Sequence, residues 1–102
     1  MKARKEFDRL SALMSTQDGV EPGKMMSSDA IRYRNKVFAF FHQDMMTFKL
    51  GADFDPMDMG LEEWYPLSPF KSKPPLKAWF MIPEKYMDQW PRLAEMALLK
   101  MR

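Results

Sequence analysis

The sequence predicts an α+β fold in which a mainly antiparallel sheet of about four to six strands carries an N-terminal and a C-terminal helix on one face. Three observations support this prediction: period-two alternation in the middle of the chain, helical spacing of apolar residues at both ends, and turn-forming residues between these segments. A chain of 102 residues has the length of one domain, so we expect a single domain over residues 1–102.

The centre of the sheet is predicted to lie in residues 24–50, as three or four short strands joined by tight turns. Ile31 and Tyr33 alternate with arginines, and Asn35-Lys36 separates this run from an apolar run that begins at Val37. Because asparagine accepts a positive φ, we predict a two-residue hairpin turn at Asn35-Lys36.

The next connection determines which side chains share a face. A three-residue loop at 42–44 would place Phe40 opposite Met46 and Phe38 opposite Phe48. A two-residue turn would shift the register and bring a lysine onto the apolar face, so we predict the longer loop. The apolar face then carries Ile31, Tyr33, Phe38, Phe40, Met46, Phe48 and Leu50, and the polar face carries Arg32, Arg34, Val37, Ala39, Phe41, Met45, Thr47 and Lys49.

Helices are predicted at both ends of the chain. Residues 2 to about 16 have apolar side chains at helical spacing, namely Ala3, Phe7, Leu10 and Met14. The last helix follows Asp88, its expected N-cap, and tolerates Pro91 in its first turn. Its apolar stripe comprises Trp90, Leu93, Ala94, Ala97, Leu98 and Met101.

The connecting segments are predicted from their glycines and prolines. Residues 19–23 are expected to be a loop, and Asp55 is expected to cap a short helix that begins at Pro56 and continues to about Trp64. Further on, the sequence predicts a short edge strand at 67–70, an exposed loop tip at 71–73 and a last strand at 77–82.

Composition excludes several classes of site. The chain has no cysteine, which excludes disulfides, zinc–cysteine sites and a thiol nucleophile. No apolar run is long enough to span a bilayer, and the residues after the basic N-terminus are too polar for a signal peptide, so we expect a cytoplasmic protein without membrane contact. The twelve methionines are typical either of flexible core packing, which we favour, or of an adaptable binding groove.

The sequence contains no recognisable catalytic or cofactor-binding motif, so we expect no enzyme and no cofactor. His42 is the only histidine and lies in a predicted loop without a recognisable nucleophile motif. Glu62 and Glu63 are adjacent on a predicted helix and diverge too far to act as an acid–base pair. Asp53, Asp55 and Asp58 do not have the spacing of a calcium loop, since Trp64 occupies the closing position, and no metal is expected.

Several segments together resemble the N-terminal domain of the TfoX/Sxy competence-regulator family, which is related in fold to the MmcQ/YjbR-like proteins. The matching segments, in chain order, are KMMSS at 24–28, NKVFA at 35–39, TFKL at 47–50, KPPLKAW at 73–79 and the last helix at 90–97. Ser27-Ser28 and Met26 depart from the glycines and phenylalanine of many members. The resemblance implies an α+β fold with a mainly antiparallel sheet, without cofactor or established catalytic residues.

Two functions are therefore compared. The first is a non-enzymatic regulatory or adaptor domain that binds an unidentified protein, or a second copy of this chain, through Arg32, Arg34, Lys49, Lys77 and Trp79. The alternative is nucleic-acid binding, in which Arg32, Arg34, Lys49, Lys71, Lys73 and Lys77 contact phosphates and Trp79 or Phe41 stacks on bases. The net charge of +2 is too small to favour nucleic acid by itself.

Overall fold

The fold is an antiparallel sheet with two helices on one face. It is seen in a computed structural model that describes residues 2–25, 27–67 and 76–102, without the side chains of Leu76 and Lys77. The described residues form a six-stranded sheet in the order β1-β2-β3-β4-β6-β5, with every neighbouring pair antiparallel. The predicted α+β class, with an N-terminal and a C-terminal helix, is confirmed.

The bounds of the elements follow the chain. The helices are α1 (Lys2–Met14) and α2 (Trp90–Met101), and short 3-10 helices span Pro56–Met59 and Glu84–Gln89. The strands are β1 (Val20–Met25), β2 (Ser28–Tyr33), β3 (Lys36–His42), β4 (Met45–Lys49), β5 (Tyr65–Leu67) and β6 (Leu76–Ile82). Within the described residues, no helix combines the length and the apolar character needed to span a bilayer.

The loop predicted at 19–23 is wrong, because Val20–Met25 forms the edge strand β1. Its glycine and proline suggested a loop, but an edge strand tolerates a proline whose missing N–H faces away from the sheet. Gly23 also has a packing role: a Cβ there would lie 3.0 Å from Cδ of Arg32, whose side chain crosses it.

Three other boundaries differ from the prediction. Asp55 caps its helix as expected, with Oδ1 accepting a bond from the Met57 N–H at 3.0 Å, but Gly60 adopts a positive φ of 73° and ends it well before residue 64. The N-cap of α2 is Gln89 rather than Asp88, without a side-chain cap bond. The short edge strand is Tyr65–Leu67, and the expected positions 68–70 and the loop tip at 71–73 lie outside the described residues.

Both central hairpins have two-residue turns. The first turn is Arg34-Asn35, one residue earlier than predicted, and the second is Gln43-Asp44, so the predicted three-residue loop is wrong. All four turn residues have a positive φ, between 48° and 72°. Turns of this kind match the natural twist of the two strands.

A bulge in β3 explains why the shorter turn is compatible with an apolar face. Arg32 pairs with Val37 while Ile31 pairs with Ala39, so Phe38 is an extra residue without a partner on β2. Phe38 and Ala39 are both buried against the helices. The bulge shifts the alternation by one, so that Phe41 faces the helices and Phe40 faces away from them, the reverse of the prediction.

The helix-covered face holds the main core. Trp90 of α2 and Leu10 of α1 are fully buried against Phe38, Phe48 and other sheet residues. Ring contacts connect the layers, with Phe41 stacked on Phe7 at 5.4 Å between centroids and edge-on to Trp90 at 6.5 Å. The predicted apolar stripes of both helices are buried, except that Met101 is half-exposed.

Candidate interaction surfaces

The face of the sheet opposite the helices, here called the second face, carries an apolar row across five strands. Cross-strand pairing places one side chain from each of β2, β3, β4, β6 and β5 in this row: Ala30, Phe40, Thr47, Met81 and Tyr65. Ala30 and Phe40 are buried together with Leu67, and Met25, Val37, Trp79 and Met81 are half-buried around them. The described residues place no helix on this face.

Basic residues and a tryptophan border that row. Lys49 is exposed and pairs across the strands with Trp79, whose ring lies 5.6 Å from that of Phe40. The Arg32 side chain crosses β1 at Gly23 and forms a 3.0 Å ion pair with Glu21. Tryptophan, methionine and arginine are enriched at protein interfaces, and an apolar centre with a polar rim is their usual arrangement.

The five residues predicted to bind a partner do not all lie on the same surface. Arg32, Lys49 and Trp79 share the second face, and Lys77 precedes Trp79 by two residues in β6, although its side chain lies outside the description. Arg34 lies elsewhere, in the turn between β2 and β3. The second face therefore brings together three of the five side chains.

Phe41 is not available as the stacking platform proposed for nucleic acid. Its ring lies between Phe7 and Trp90 in the core, on the opposite side of the sheet from Trp79. The bulge at Phe38 is the physical reason, because it moves Phe41 from the expected polar face to the helix-covered face. Lys71 and Lys73 lie outside the described residues.

His42 lies within hydrogen-bond distance of the Ser28 hydroxyl, a contact that the sequence did not predict. Ser28 Oγ lies 3.2 Å from His42 Nδ1, across the end of the β2–β3 pair. A serine–histidine nucleophile also needs a group that orients the imidazole and donors for an oxyanion. Among the described residues, no further side-chain hydrogen bond is made by the His42 ring. The described residues also contain no cluster of three acidic, histidine or cysteine side chains that could hold a metal ion.

Glu63 belongs to a polar cluster beside the second face. Lys85 Nζ lies 2.7 Å from its carboxylate, and the Tyr65 hydroxyl donates to it at 2.6 Å. The bond from Lys85, followed by that from Tyr65, lowers the pKa of Glu63, and the same carboxylate raises the pKa of Lys85 and of Tyr65. The Tyr86 hydroxyl accepts the N–H groups of Glu62 and Glu63 at 2.9 and 3.1 Å. These contacts fix the segment that leads into β5.

A second group of basic side chains surrounds Tyr33 on the other side of the sheet. Arg34 and Arg102 both place their guanidinium groups over its ring, 5.1 and 5.7 Å from the centroid. With Lys36 and Met101 they line a small pocket. Sequence reasoning missed this group because Arg102 reaches it only through the packing of α2.

No family model, no curated protein and no solved structure matches this chain.

Proposed function

We propose that the protein is a small non-enzymatic adaptor or regulatory domain that binds a protein partner through the second face. The observation that supports this is the position of Trp79, whose ring contacts Phe40 of the apolar row and which pairs across the strands with the exposed Lys49. Tryptophan and arginine are the residues that most often dominate binding energy at interfaces. The resemblance to the N-terminal domain of competence regulators implies the same kind of role.

The charge of the second face favours an acidic partner. Lys49 forms no ion pair among the described residues, and Arg32 uses only one of its terminal nitrogens in its pair with Glu21. The expected partner segment therefore presents an apolar side chain to Phe40, Trp79 and Met81, and carboxylates to the two cations.

Docking on the face is favoured over addition of a strand at the sheet edges. Both edge strands contain a proline, Pro22 in β1 and Pro66 in β5. Proline lacks the N–H that a pairing strand needs, and natural sheets use it to block edge-to-edge association. If a second copy of the chain is the partner, we expect it on the same face. A cytoplasmic location is part of this proposal, supported by the absence of cysteine.

The experiment compares proteins captured from a host lysate by the immobilised wild type and by three variants. Trp79→Ser and Lys49→Glu change the second face, and Lys5→Glu makes a matched charge reversal on the exposed side of α1. We expect a partner that is retained by the wild type and Lys5→Glu and is lost with both second-face variants. Retention by all four proteins would reject the second face as the binding surface.

The nucleic-acid alternative uses the same Arg32, Lys49 and Trp79, and the same variants test it. A fluorescent single-stranded oligonucleotide is titrated at about 50 mM salt, where phosphate contacts are strong, and again at higher salt. Binding that falls steeply with salt and is lost with Lys49→Glu would replace the protein partner by a nucleic acid. No binding at the lower salt concentration would reject this alternative.

A further inference from the structure

The pocket beside Tyr33 lies between the Arg34-Asn35 turn, which joins β2 to β3, and the end of α2. It has a volume of about 220 Å³, is open to solvent and is lined by Tyr33, Arg34, Lys36, Met101 and Arg102. Three of its five lining residues are cationic, one is aromatic and one is a methionine. The pocket lies on the helix-covered side of the sheet and is therefore separate from the second face.

Three residues around this pocket, Tyr33, Arg34 and Arg102, are positioned by specific contacts. A Cβ at Gly19 would lie 2.7 Å from Cε1 of Tyr33, so only glycine allows the ring to pack there. The Arg34 N–H donates to the Gly19 carbonyl at 2.9 Å, which fixes the turn. Arg102 donates to the side-chain oxygen of Gln17 at 3.2 Å while its guanidinium covers the Tyr33 ring.

The three cations of the pocket are not neutralised by the rest of the described chain. Seven ion pairs form among the described residues, and none of them includes Arg34, Lys36 or Arg102. These three cations are exposed and line the same small pocket, so together they create a positive potential that attracts an anion. The guanidinium fork also matches the oxygens of a phosphate or carboxylate group.

We propose that this pocket binds a phosphate monoester. A monoester carries close to two negative charges at neutral pH, which suits a pocket lined by three cations better than a single charge does. The ring of Tyr33 and the side chain of Met101 supply an apolar wall for the organic part of the ligand. Pockets for drug-sized ligands start at about 300 Å³, so the occupant is a phosphate with a small attached group.

A nucleic-acid backbone fits this geometry less well. Its phosphates are monoanions in a row, and they require a track of cations along the surface. Beyond this pocket, the basic residues predicted for phosphate contact and described with side chains are Arg32 and Lys49, which lie on the opposite face of the sheet. The described cations near Tyr33 therefore form a local site and not a track.

The test is an NMR titration of uniformly ¹⁵N-labelled protein with phenyl phosphate, which combines a monoester dianion with a small ring. Phenyl sulfate has the same shape with one charge, and inorganic phosphate lacks the ring. We expect phenyl phosphate to shift the amide signals of Tyr33, Lys36 and Arg102 and to bind several-fold more tightly than the other two compounds. Stronger binding of inorganic phosphate would reject the apolar wall, and equal binding of phenyl sulfate would reject selection of a dianion.

Two variants and one control locate the site. Lys36→Gln and Arg102→Gln should each weaken phenyl phosphate binding by about tenfold or more, as loss of a charged hydrogen bond does. Lys5→Gln removes a matched exposed cation on α1 and should leave the affinity unchanged. Equal loss in Lys5→Gln, or no saturable shift around Tyr33 in the wild type, would overturn the proposal. Binding of a single-stranded oligonucleotide at these residues in preference to phenyl phosphate would assign the pocket to nucleic acid instead.

Discussion

The two faces of the sheet bury apolar residues in different ways. On the helix-covered face, Phe38 and Phe48 are fully buried in a core cluster that includes side chains of both helices. On the second face, Phe40 is equally buried, but its neighbours Trp79 and Met81 are only half-buried. The helices thus cover one face, whereas on the second face only side chains of the sheet itself surround Phe40.

Because the two faces differ in burial, we expect one to contribute mainly to stability and the other mainly to binding. A smaller side chain under the helices leaves a cavity, because the interior is close-packed. The residues around the centre of the second face, such as Trp79 and Met81, keep part of their surface in contact with solvent, which leaves them able to contact a partner. We therefore expect substitutions on the first face to act on the free energy of unfolding, and substitutions at the rim of the second face to act mainly on binding.

The largest effect is expected for Phe38→Ala. Phe38 is fully buried at the bulge under the helices, so its removal should lower the free energy of unfolding by about 3–5 kcal/mol. A domain of this size has about 5–15 kcal/mol in total, and the variant should be marginally stable. Urea denaturation followed by circular dichroism measures the change. A loss below about 1 kcal/mol would mean that Phe38 does not face the helices.

Phe40→Ala tests the second face in the same way. The ring is as buried as that of Phe38, but a cavity there opens towards solvent, so we expect only the transfer cost of about 1.5–3 kcal/mol. The same urea titration, run beside Phe38→Ala, gives the difference between the two faces. Equal losses for the two variants would show that the second face is as tightly sealed as the first.

Thr47→Val should raise stability. Thr47 is fully buried in the apolar row, and its hydroxyl has no hydrogen-bond partner among the described residues. Valine keeps the shape and removes the unpaired polar group, so the free energy of unfolding should rise by about 1 kcal/mol. Thr16→Val is the control, because the Thr16 hydroxyl donates to the Leu13 carbonyl at 2.7 Å and its removal should not stabilise. Destabilisation by Thr47→Val would mean that this hydroxyl has a partner.

The elements with a strong period were predictable from the sequence, and the register of the sheet was not. The stripes of α1 and α2 and the strand at 77–82 depend on spacing within one segment, which the sequence displays directly. The bulge at Phe38 depends on how β3 packs between β2 and the helices. A three-residue loop would be needed only if β3 alternated without interruption. Because Phe38 forms a bulge, the two-residue turn keeps Lys49 on the second face.

The candidate surfaces were likewise predictable only where the alternation within a strand determines the face of a residue. Alternation placed Arg32 and Lys49 together correctly, because the two-residue period survives on both strands. The pocket around Tyr33 could not be inferred, since it joins a hairpin turn to the end of a distant helix. Arg34 was assigned to the wrong surface for a related reason: its positive φ of 48° takes it out of the strand alternation.

Asp29→Asn tests the contribution of the ion pair between Arg4 of α1 and Asp29 of β2. The Asp29 carboxylate accepts hydrogen bonds from Lys24 and from Arg4 of α1, the latter at 2.7 Å, and these bonds lower its pKa. A carboxyl group whose pKa is lower in the folded state stabilises the fold above its unfolded pKa, and this contribution is lost as the pH falls through the folded pKa. The wild type should therefore be more stable than Asp29→Asn at neutral pH.

The stability difference between the two proteins should shrink once the pH drops below about 4, near the unfolded pKa of aspartate. Urea midpoints measured from neutral to acidic pH follow this difference. The effect should be small, because ion pairs at the surface are screened by water. A difference that stays constant over the whole range would assign the loss to the shape of the side chain and not to its charge.

Lys49→Ala should have the smallest effect on stability and tests directly whether stability and binding depend on different faces. The side chain is exposed on the second face beside Trp79, away from the core, so the free energy of unfolding should change by less than about 0.5 kcal/mol. Its urea midpoint should match that of the wild type, while capture of the second-face partner should fall, because an attractive charge at the rim is lost. If Lys49→Ala instead destabilises as strongly as Phe38→Ala, Lys49 is a buried and paired charge, and the two faces do not divide stability from binding.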